Sequence, residues 1–168
     1  MQIQPITSEA NALPNIPDLA CACATLRRAA RAVSHLYAAE FEGLLEGTQF
    51  SLLAVLNKRP GVNQITLGRI LVLDKTTLSR NLSLMKRQGW IQLTITGDKR
   101  ERGFELTPAG HDLLKKARVG WQLSQQRLLR AMGEPEWARM FDMANSVTRV
   151  ATAVAETLRS RNGTGPRK

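Results

Sequence analysis

The stretch that decides the fold is residues 65–91, ITLGRILVLDKTTLSRNLSLMKRQGWI, which predicts two helices joined by a tight turn at Val72 and Leu73. Asp74 follows the turn and is expected to cap the second helix, because its carboxylate can accept hydrogen bonds from the free N–H groups of the first turn. Gly89 is expected to end that helix, because glycine adopts the left-handed C-terminal conformation without steric cost. The pattern is typical of a helix–turn–helix.

The second helix is predicted to have one apolar and one polar face. Leu78, Leu82 and Met85 fall at i, i+4 and i+7, so they share the inward side. The opposite side carries hydroxyl and basic groups, which contact phosphates and base edges in a duplex groove. The residues expected to bind DNA here are Lys75, Thr76, Thr77, Ser79 and Arg80. A solvated amphipathic helix is the plain alternative for this face.

Two short helices are predicted before the turn, one ahead of the helix–turn–helix and the other its first helix. Residues 49–57 are apolar and predict a short helix, with Thr48 as the expected N-cap. In the first helix of the helix–turn–helix, Leu67, Ile70 and Leu71 are expected to face the core.

A β-hairpin is predicted directly after Gly89. Residues 90–95 alternate and are β-prone, residues 96–101 are polar and turn-forming, and residues 102–106 return as a second strand. A hairpin with a charged tip behind a helix–turn–helix is typical of a wing. Thr107 then predicts the N-cap of a long helix with proline at its first position, ending at a glycine, Gly133.

Apolar side chains recur at helical spacing near both ends of the chain. They step by four and three residues from Leu19 to Tyr37, and again from Met140 to Leu158. Because the predicted sheet is too small to cover both stripes, we expect them to pack with each other and with their copies in a homodimer of two-fold symmetry. A monomer in which the two stripes cover each other is the alternative.

The predicted fold is mainly α with a small β-wing. At 168 residues the chain is long enough for one domain with its own core. We expect a flexible arm at 1–17, a single domain at 18–159 and a disordered basic tail at 160–168. Within the domain, the winged DNA-binding lobe spans 48–107, and the dimerisation helices span 18–42 and 108–159.

The net charge of +10 is concentrated in the middle of the chain. Residues 58–118 hold thirteen Lys and Arg against five acids, a net of +8, which favours a polyanionic partner. No apolar run is long enough to span a membrane and no secretory signal is evident, so we expect a cytoplasmic protein. His35 and His111 have no companions at ligand spacing, and no catalytic pairing or phosphate loop stands out. The sequence therefore predicts no metal, no cofactor and no enzyme.

The order of elements, with LGRILVLDKTTLSRNLSLMKRQGWI at 67–91 and DKRERGFELTPAG at 98–110, resembles the MarR family of bacterial regulators. The family's wing pattern is an Asp, an Arg two places on, then Leu-Thr leading into a helix with a Gly. The matching positions are Asp98, Arg100, Leu106, Thr107 and Gly110. The resemblance covers about residues 19–158 and implies a homodimeric winged-helix repressor on a roughly palindromic operator, near its own or a neighbouring gene.

The resemblance also assigns roles on DNA. The helix at about 75–88 would enter the major groove, and Arg100 at the wing tip would enter the minor groove with Asp98 holding it. A narrow minor groove attracts arginine through its strongly negative potential, and Lys99 belongs to the same basic surface. The alternatives are an ordinary exposed ion pair at the tip, and a winged-helix module that binds another protein without DNA.

The resemblance to this family implies that one of two kinds of signal controls DNA binding. One is a small aromatic or phenolic effector in a cleft near Phe50, Arg69 and Trp121, with plain core packing as the alternative for the two aromatic residues. The other is a peroxide, because Cys23 and Tyr37 resemble the reactive cysteine and helper tyrosine of one branch of the family. Fourteen helical residues span about 21 Å, so Tyr37 reaches Cys23 only from a partner chain. The place of Cys23 in an apolar stripe instead favours an inert, buried thiol.

Overall fold

The computed structural model describes residues 21–95 and 102–163, which form six α-helices and two β-strands. The elements are α1 (Ala22–Phe41), α2 (Gly47–Lys58), α3 (Gln64–Leu71), α4 (Lys75–Arg87), β1 (Ile91–Ile95), β2 (Arg102–Leu106), α5 (Pro108–Met132) and α6 (Glu134–Gly163). The predicted mainly α fold with a small β-wing is confirmed. The predicted arm at 1–17 lies outside the described residues.

The chain divides into two compact units, and the boundary falls inside α5 after Ser124. We call the described residues from Cys21 to Ser124 the winged unit, and those from Gln125 to Gly163 the α6 unit. The winged unit thus contains α1 and the first part of α5 in addition to the lobe predicted at 48–107. The predicted domain bounds stay a prediction.

The core of the winged unit is built from the end of α1, α2, α3, α4, the two strands and the first half of α5. Its buried apolar side chains include those of α4 that the helical spacing placed inward, namely Leu78, Leu82 and Met85. Leu67 of α3 is also buried, but the inward prediction for Ile70 is wrong, since that side chain is 39% exposed. Three residues of helix rotate Ile70 by about 60° from Leu67, so on a two-turn helix it lies at the edge of the core.

The two strands pair in an antiparallel register from Ile91 with Leu106 to Ile95 with Arg102. The loop before α3 adds a short bridge to β2 on its other side. The Gly61 N–H donates to the Phe104 carbonyl at 2.9 Å, and the Phe104 N–H donates to the Val62 carbonyl at 3.0 Å. The hairpin is therefore hydrogen-bonded to the segment that leads into the helix–turn–helix.

Two predicted helix boundaries are wrong. The N-cap of α2 is Glu46 rather than Thr48, because Glu46 and Gln49 form a reciprocal capping box in which the Glu46 N–H donates to Gln49 Oε1 at 2.9 Å. At the other end of the chain, α6 continues to Gly163 instead of ending at Arg159. No proline or glycine lies between Arg159 and Asn162, and Ser160 Oγ donates to the Thr157 carbonyl at 2.9 Å. The rest of the predicted tail, 164–168, lies outside the described residues.

No helix in residues 21–95 or 102–163 is both long enough and apolar enough to cross a membrane.

Candidate nucleic-acid interface

The N-terminus of α4 is fixed by Asp74, as its position after the turn predicted. Asp74 Oδ1 accepts from the Thr77 N–H at 2.9 Å, and Oδ2 accepts from the Thr77 hydroxyl at 2.6 Å. These bonds, the hydroxyl first and the backbone second, lower the pKa of Asp74. The ionised carboxylate therefore holds the first turn of α4 in place at neutral pH.

The outer face of α4 carries the polar residues that the sequence assigned to it. Lys75, Thr76, Ser79 and Arg80 are all exposed, and their spacing places them side by side on the helix surface. Within the described part of the chain, neither Lys75 nor Arg80 has an ion-pair partner. Both cations are therefore available to an external anion.

Thr77 differs from its neighbours on this face. It is half-buried, and its hydroxyl already donates to Asp74. A hydroxyl has one proton to donate, so Thr77 keeps only acceptor capacity for any other partner. The structure thus brings four of the five predicted α4 residues onto one open surface and gives the fifth a capping role.

Other exposed cations surround this surface and were not singled out from the sequence. Lys86 and Arg87 occupy the last turn of α4, and Arg102 begins β2. Arg102 lies at the end of the described strands that is nearest the predicted tip, where it pairs in register with Ile95. Its place just after a charged hairpin tip was the signal that could have identified it.

The predicted wing-tip residues lie outside the described part of the chain. They are Asp98, Lys99 and Arg100. The described strands stop at Ile95 and Arg102, where the predicted tip begins. The roles assigned to the tip stay predictions.

The C-terminal end of α4 closes on Gly89, which has φ +72°. The Trp90 N–H donates to the Met85 carbonyl at 2.9 Å and the Gly89 N–H donates to the Lys86 carbonyl at 3.0 Å, which is a Schellman motif. This termination was predicted from the sequence and is confirmed. It directs the chain into β1, so α4 and the hairpin are joined without a flexible linker.

Four aromatic rings form a continuous series through the winged unit. Tyr37 contacts Phe41, Phe41 contacts Phe50, and Phe50 stacks on Trp121 with ring centroids 6.1 Å apart and planes 19° apart. Burial raises the pKa of Tyr37. The structure therefore brings together Phe50 and Trp121, two of the residues considered for an effector cleft, while Arg69 is exposed on α3.

The two cysteines lie at the start of α1. Cys21 is the N-cap residue and is partly exposed, whereas Cys23 is exposed in the first turn, and both are free thiols. The expectation that Cys23 is a buried thiol is wrong for this chain on its own. The reason is that α1 buries only Phe41, at its far end, so the first turns of the helix contact little of the core.

No group of three or more His, Cys, Asp or Glu side chains in residues 21–95 and 102–163 is arranged to hold a metal ion.

Comparisons with known proteins agree with this geometry. Residues 45–101 match the sequence model of the MarR family. The chain is 32% identical to the M. tuberculosis transcriptional regulator MosR, solved in complex with DNA, with a TM-score of 0.71 over 80% of this chain and 98% of that one. A search of curated proteins found no match.

Two further structures are similar in fold. The PcaV transcriptional regulator from Streptomyces coelicolor, in complex with its natural ligand, is 23% identical with a TM-score of 0.72, covering 83% of this chain and 99% of that one. The transcriptional repressor CouR, bound to p-coumaroyl-CoA, is 21% identical with a TM-score of 0.72, covering 82% of this chain and 99% of that one.

Proposed function

Because this chain belongs to the MarR family of transcriptional regulators, we propose that it binds a palindromic operator as a homodimer, represses transcription, and is released by a small molecule. The observation that carries the proposal is the exposed row of Lys75, Thr76, Ser79 and Arg80 on α4. This row lies on a helix whose two ends are both fixed by hydrogen bonds. We call α4 the recognition helix.

The chemistry of the row suits a major groove. Arg80 is expected to donate two hydrogen bonds to the O6 and N7 atoms of a guanine, whereas Lys75 neutralises a phosphate. Thr76 and Ser79 have hydroxyls for phosphates or base edges. We propose that Arg100 enters the neighbouring minor groove with Asp98 as its support and Lys99 beside it, as in the family pattern.

The proposed homodimer is supported by apolar side chains that the described residues leave uncovered. Val150, Val154 and Leu158 of α6 are each more than half exposed. Together with Val147 and Ala151 they form one apolar face of that helix. On α1, Leu26 and Val33 are 42% and 37% exposed. A second copy packed on these faces would remove apolar area from water and present two recognition helices about one DNA turn apart.

A small aromatic or phenolic effector is the proposed signal. The stacked pair of Phe50 and Trp121 supports it, because Trp121 is 36% exposed and aromatic rings stack with one another. The fold neighbours PcaV and CouR were solved with a natural ligand and with p-coumaroyl-CoA, respectively.

DNA binding is tested by fluorescence anisotropy with a duplex from upstream of the gene, at two salt concentrations. We expect affinity to fall steeply with salt, because Lys and Arg release counterions from phosphates. Arg80→Ala should weaken binding by about 1–3 kcal/mol and relax base preference. Arg149→Ala is the matched control, since it removes an equal charge from an exposed position on α6.

If Arg80→Ala and Arg149→Ala lost the same amount of DNA affinity, the proposed contact of Arg80 with a base would be ruled out. No salt-sensitive binding in the wild type would instead favour a winged-helix module that binds protein and not DNA.

A second candidate signal is an oxidant, and the exposure of Cys23 favours it. An accessible thiol can react with a peroxide, which a buried one cannot. The test is DNA binding before and after treatment with hydrogen peroxide or an organic hydroperoxide. We expect Cys23→Ser to abolish a peroxide response that the wild type shows, and a wild type indifferent to peroxide would end this candidate.

A further inference from the structure

We propose that Thr107 is a positioning residue for the recognition helix, because its side chain fastens the end of α4 to the start of α5. We call the five groups involved the clasp: the hydroxyl and the N–H of Thr107, the Gly110 N–H, and the carbonyls of Gly89 and Trp90. The consequence for DNA affinity rests on the proposed function, whereas the clasp itself is a property of the free protein.

One hydroxyl serves both helices. Thr107 Oγ1 donates to the Gly89 carbonyl at 2.5 Å and accepts from the Gly110 N–H at 3.1 Å. The Thr107 N–H also donates to the Trp90 carbonyl at 3.1 Å. Thr107 is thus the N-cap of α5, and it bonds both residues that close α4, Gly89 through its hydroxyl proton and Trp90 through its backbone N–H.

The two chain segments also touch through their backbones. A Cβ atom built on Gly110 would lie 2.0 Å from the Trp90 carbonyl oxygen, so only glycine permits this approach. The contact surface is a carbonyl against the first turn of a helix, with no flexible side chain between them. The separation between the end of α4 and the start of α5 is therefore set by fixed backbone atoms.

The clasp holds the end of α4 that Asp74 does not. Asp74 fixes the first turn of the recognition helix, and the Gly89–Trp90 segment fixes the last. α5 runs on without a break to Met132, so any change in the direction of its first turns reaches the recognition helix through the clasp. Without the clasp, α4 keeps its N-cap but loses the contact that orients its C-terminal end.

The capping role and the clasp role need different chemistry. An N-cap only has to accept a hydrogen bond, whereas the clasp needs a proton to donate. At position 107, serine keeps both abilities, an ionised aspartate keeps only the acceptor, and valine has neither. The substitutions Thr107→Ser, Thr107→Asp and Thr107→Val therefore separate the two roles.

The first measurement is hydrogen exchange in the free protein at the amides of Gly89 and Trp90, which close α4. We expect Thr107→Asp and Thr107→Val to exchange faster at these amides by about five- to tenfold, the equivalent of one net hydrogen bond. Thr107→Ser should match the wild type. Ala109→Asp is the charge-matched control, because it adds a carboxylate to the same first turn and leaves the clasp intact.

The second measurement is operator affinity for the same variants. We expect Thr107→Asp and Thr107→Val to bind about five- to tenfold more weakly than wild type, with Thr107→Ser restoring affinity and Ala109→Asp remaining tighter than Thr107→Asp. Wild-type exchange rates in Thr107→Asp would overturn the clasp and leave Thr107 as an N-cap alone. Faster exchange with unchanged affinity would overturn its positioning role. If the wild type binds no DNA, the proposed function fails, and exchange alone decides whether the clasp exists.

Discussion

Helices α2 and α6 both carry apolar stripes, but only one of them is covered within its own compact unit. In α2, Leu52, Leu53 and Leu56 are at most 1% exposed, because α1, α3, α4 and β2 pack around them. In α6, Val154 and Leu158 remain more than half exposed. The difference teaches that periodicity identifies an apolar face and does not identify what covers it.

The largest effect on stability is expected in the core of the winged unit. Leu53→Ala removes a fully buried side chain and should lower the free energy of unfolding by about 2–5 kcal/mol, from lost transfer energy and the cavity left behind. Leu44→Ala is the matched control at an exposed position, and its effect should stay within about 1 kcal/mol. Urea unfolding followed by circular dichroism measures both, and equal losses would mean that burial does not separate the two sites.

The second effect concerns the exposed face of α6. Val154→Asp should shift the protein from dimer to monomer, because the proposed interface would bury an unpaired carboxylate. Sedimentation velocity over a concentration series measures the shift. Asn145→Asp adds the same charge on the opposite side of the helix and should leave the dimer intact. A dimer unaffected by Val154→Asp would exclude this face as the interface.

A smaller gain in stability is expected at the turn into the recognition helix. Val72 has φ +50° and ψ +42°, a left-handed conformation that is strained for a β-branched residue, and its side chain is 58% exposed. Val72→Gly should relieve this strain and raise the free energy of unfolding by up to about 1 kcal/mol. Val119→Gly, at an exposed position inside α5, should instead lower it by about the helix cost of glycine. Thermal unfolding measures both variants. An unfolding temperature lowered by both substitutions would contradict the proposed backbone strain at Val72.

The smallest effect is the pH dependence of the Asp74 cap. Its pKa is lowered in the folded protein, so its contribution to stability is present above the unfolded pKa and is lost as pH falls through the folded value. The stability difference between wild type and Asp74→Ala should therefore shrink below about pH 4. Urea titrations at neutral and acidic pH measure it, with Asp112→Ala as a control at an exposed acid of α5. If the stability difference between wild type and Asp74→Ala stayed constant across this pH range, the ionised Asp74 carboxylate would not contribute to the cap.

Local signals in the sequence were enough to predict the recognition helix and its surroundings. Asp74 and Gly89 bound α4 because each residue's own chemistry satisfies free backbone groups at a helix end. The start of α5 at Pro108 and its end before Gly133 follow from the same kind of signal. These features depend on neighbours three or four residues away, which a sequence shows directly.

Features that depend on distant contacts could not be predicted in this way. The exposure of Cys23 follows from how little of α1 meets the core, which no spacing reveals. The hydrogen bond from the Thr77 hydroxyl to Asp74 could not be predicted, because threonine is equally suited to a DNA-binding surface. The contact of Thr107 with Gly89 joins residues eighteen positions apart. The wing pattern identified Thr107 as a position of interest, and only the structure supplied its partner.

The bridge between Val62 and Phe104 has a consequence for how the protein meets a duplex. The chain enters α3 from the segment bonded to β2 and leaves α4 directly into β1, so the hairpin strands anchor both ends of the helix pair. The strands and the recognition helix therefore reach the double helix already oriented to each other. The strands and the recognition helix lose their relative conformational freedom when the protein folds. Binding to DNA therefore costs less conformational entropy.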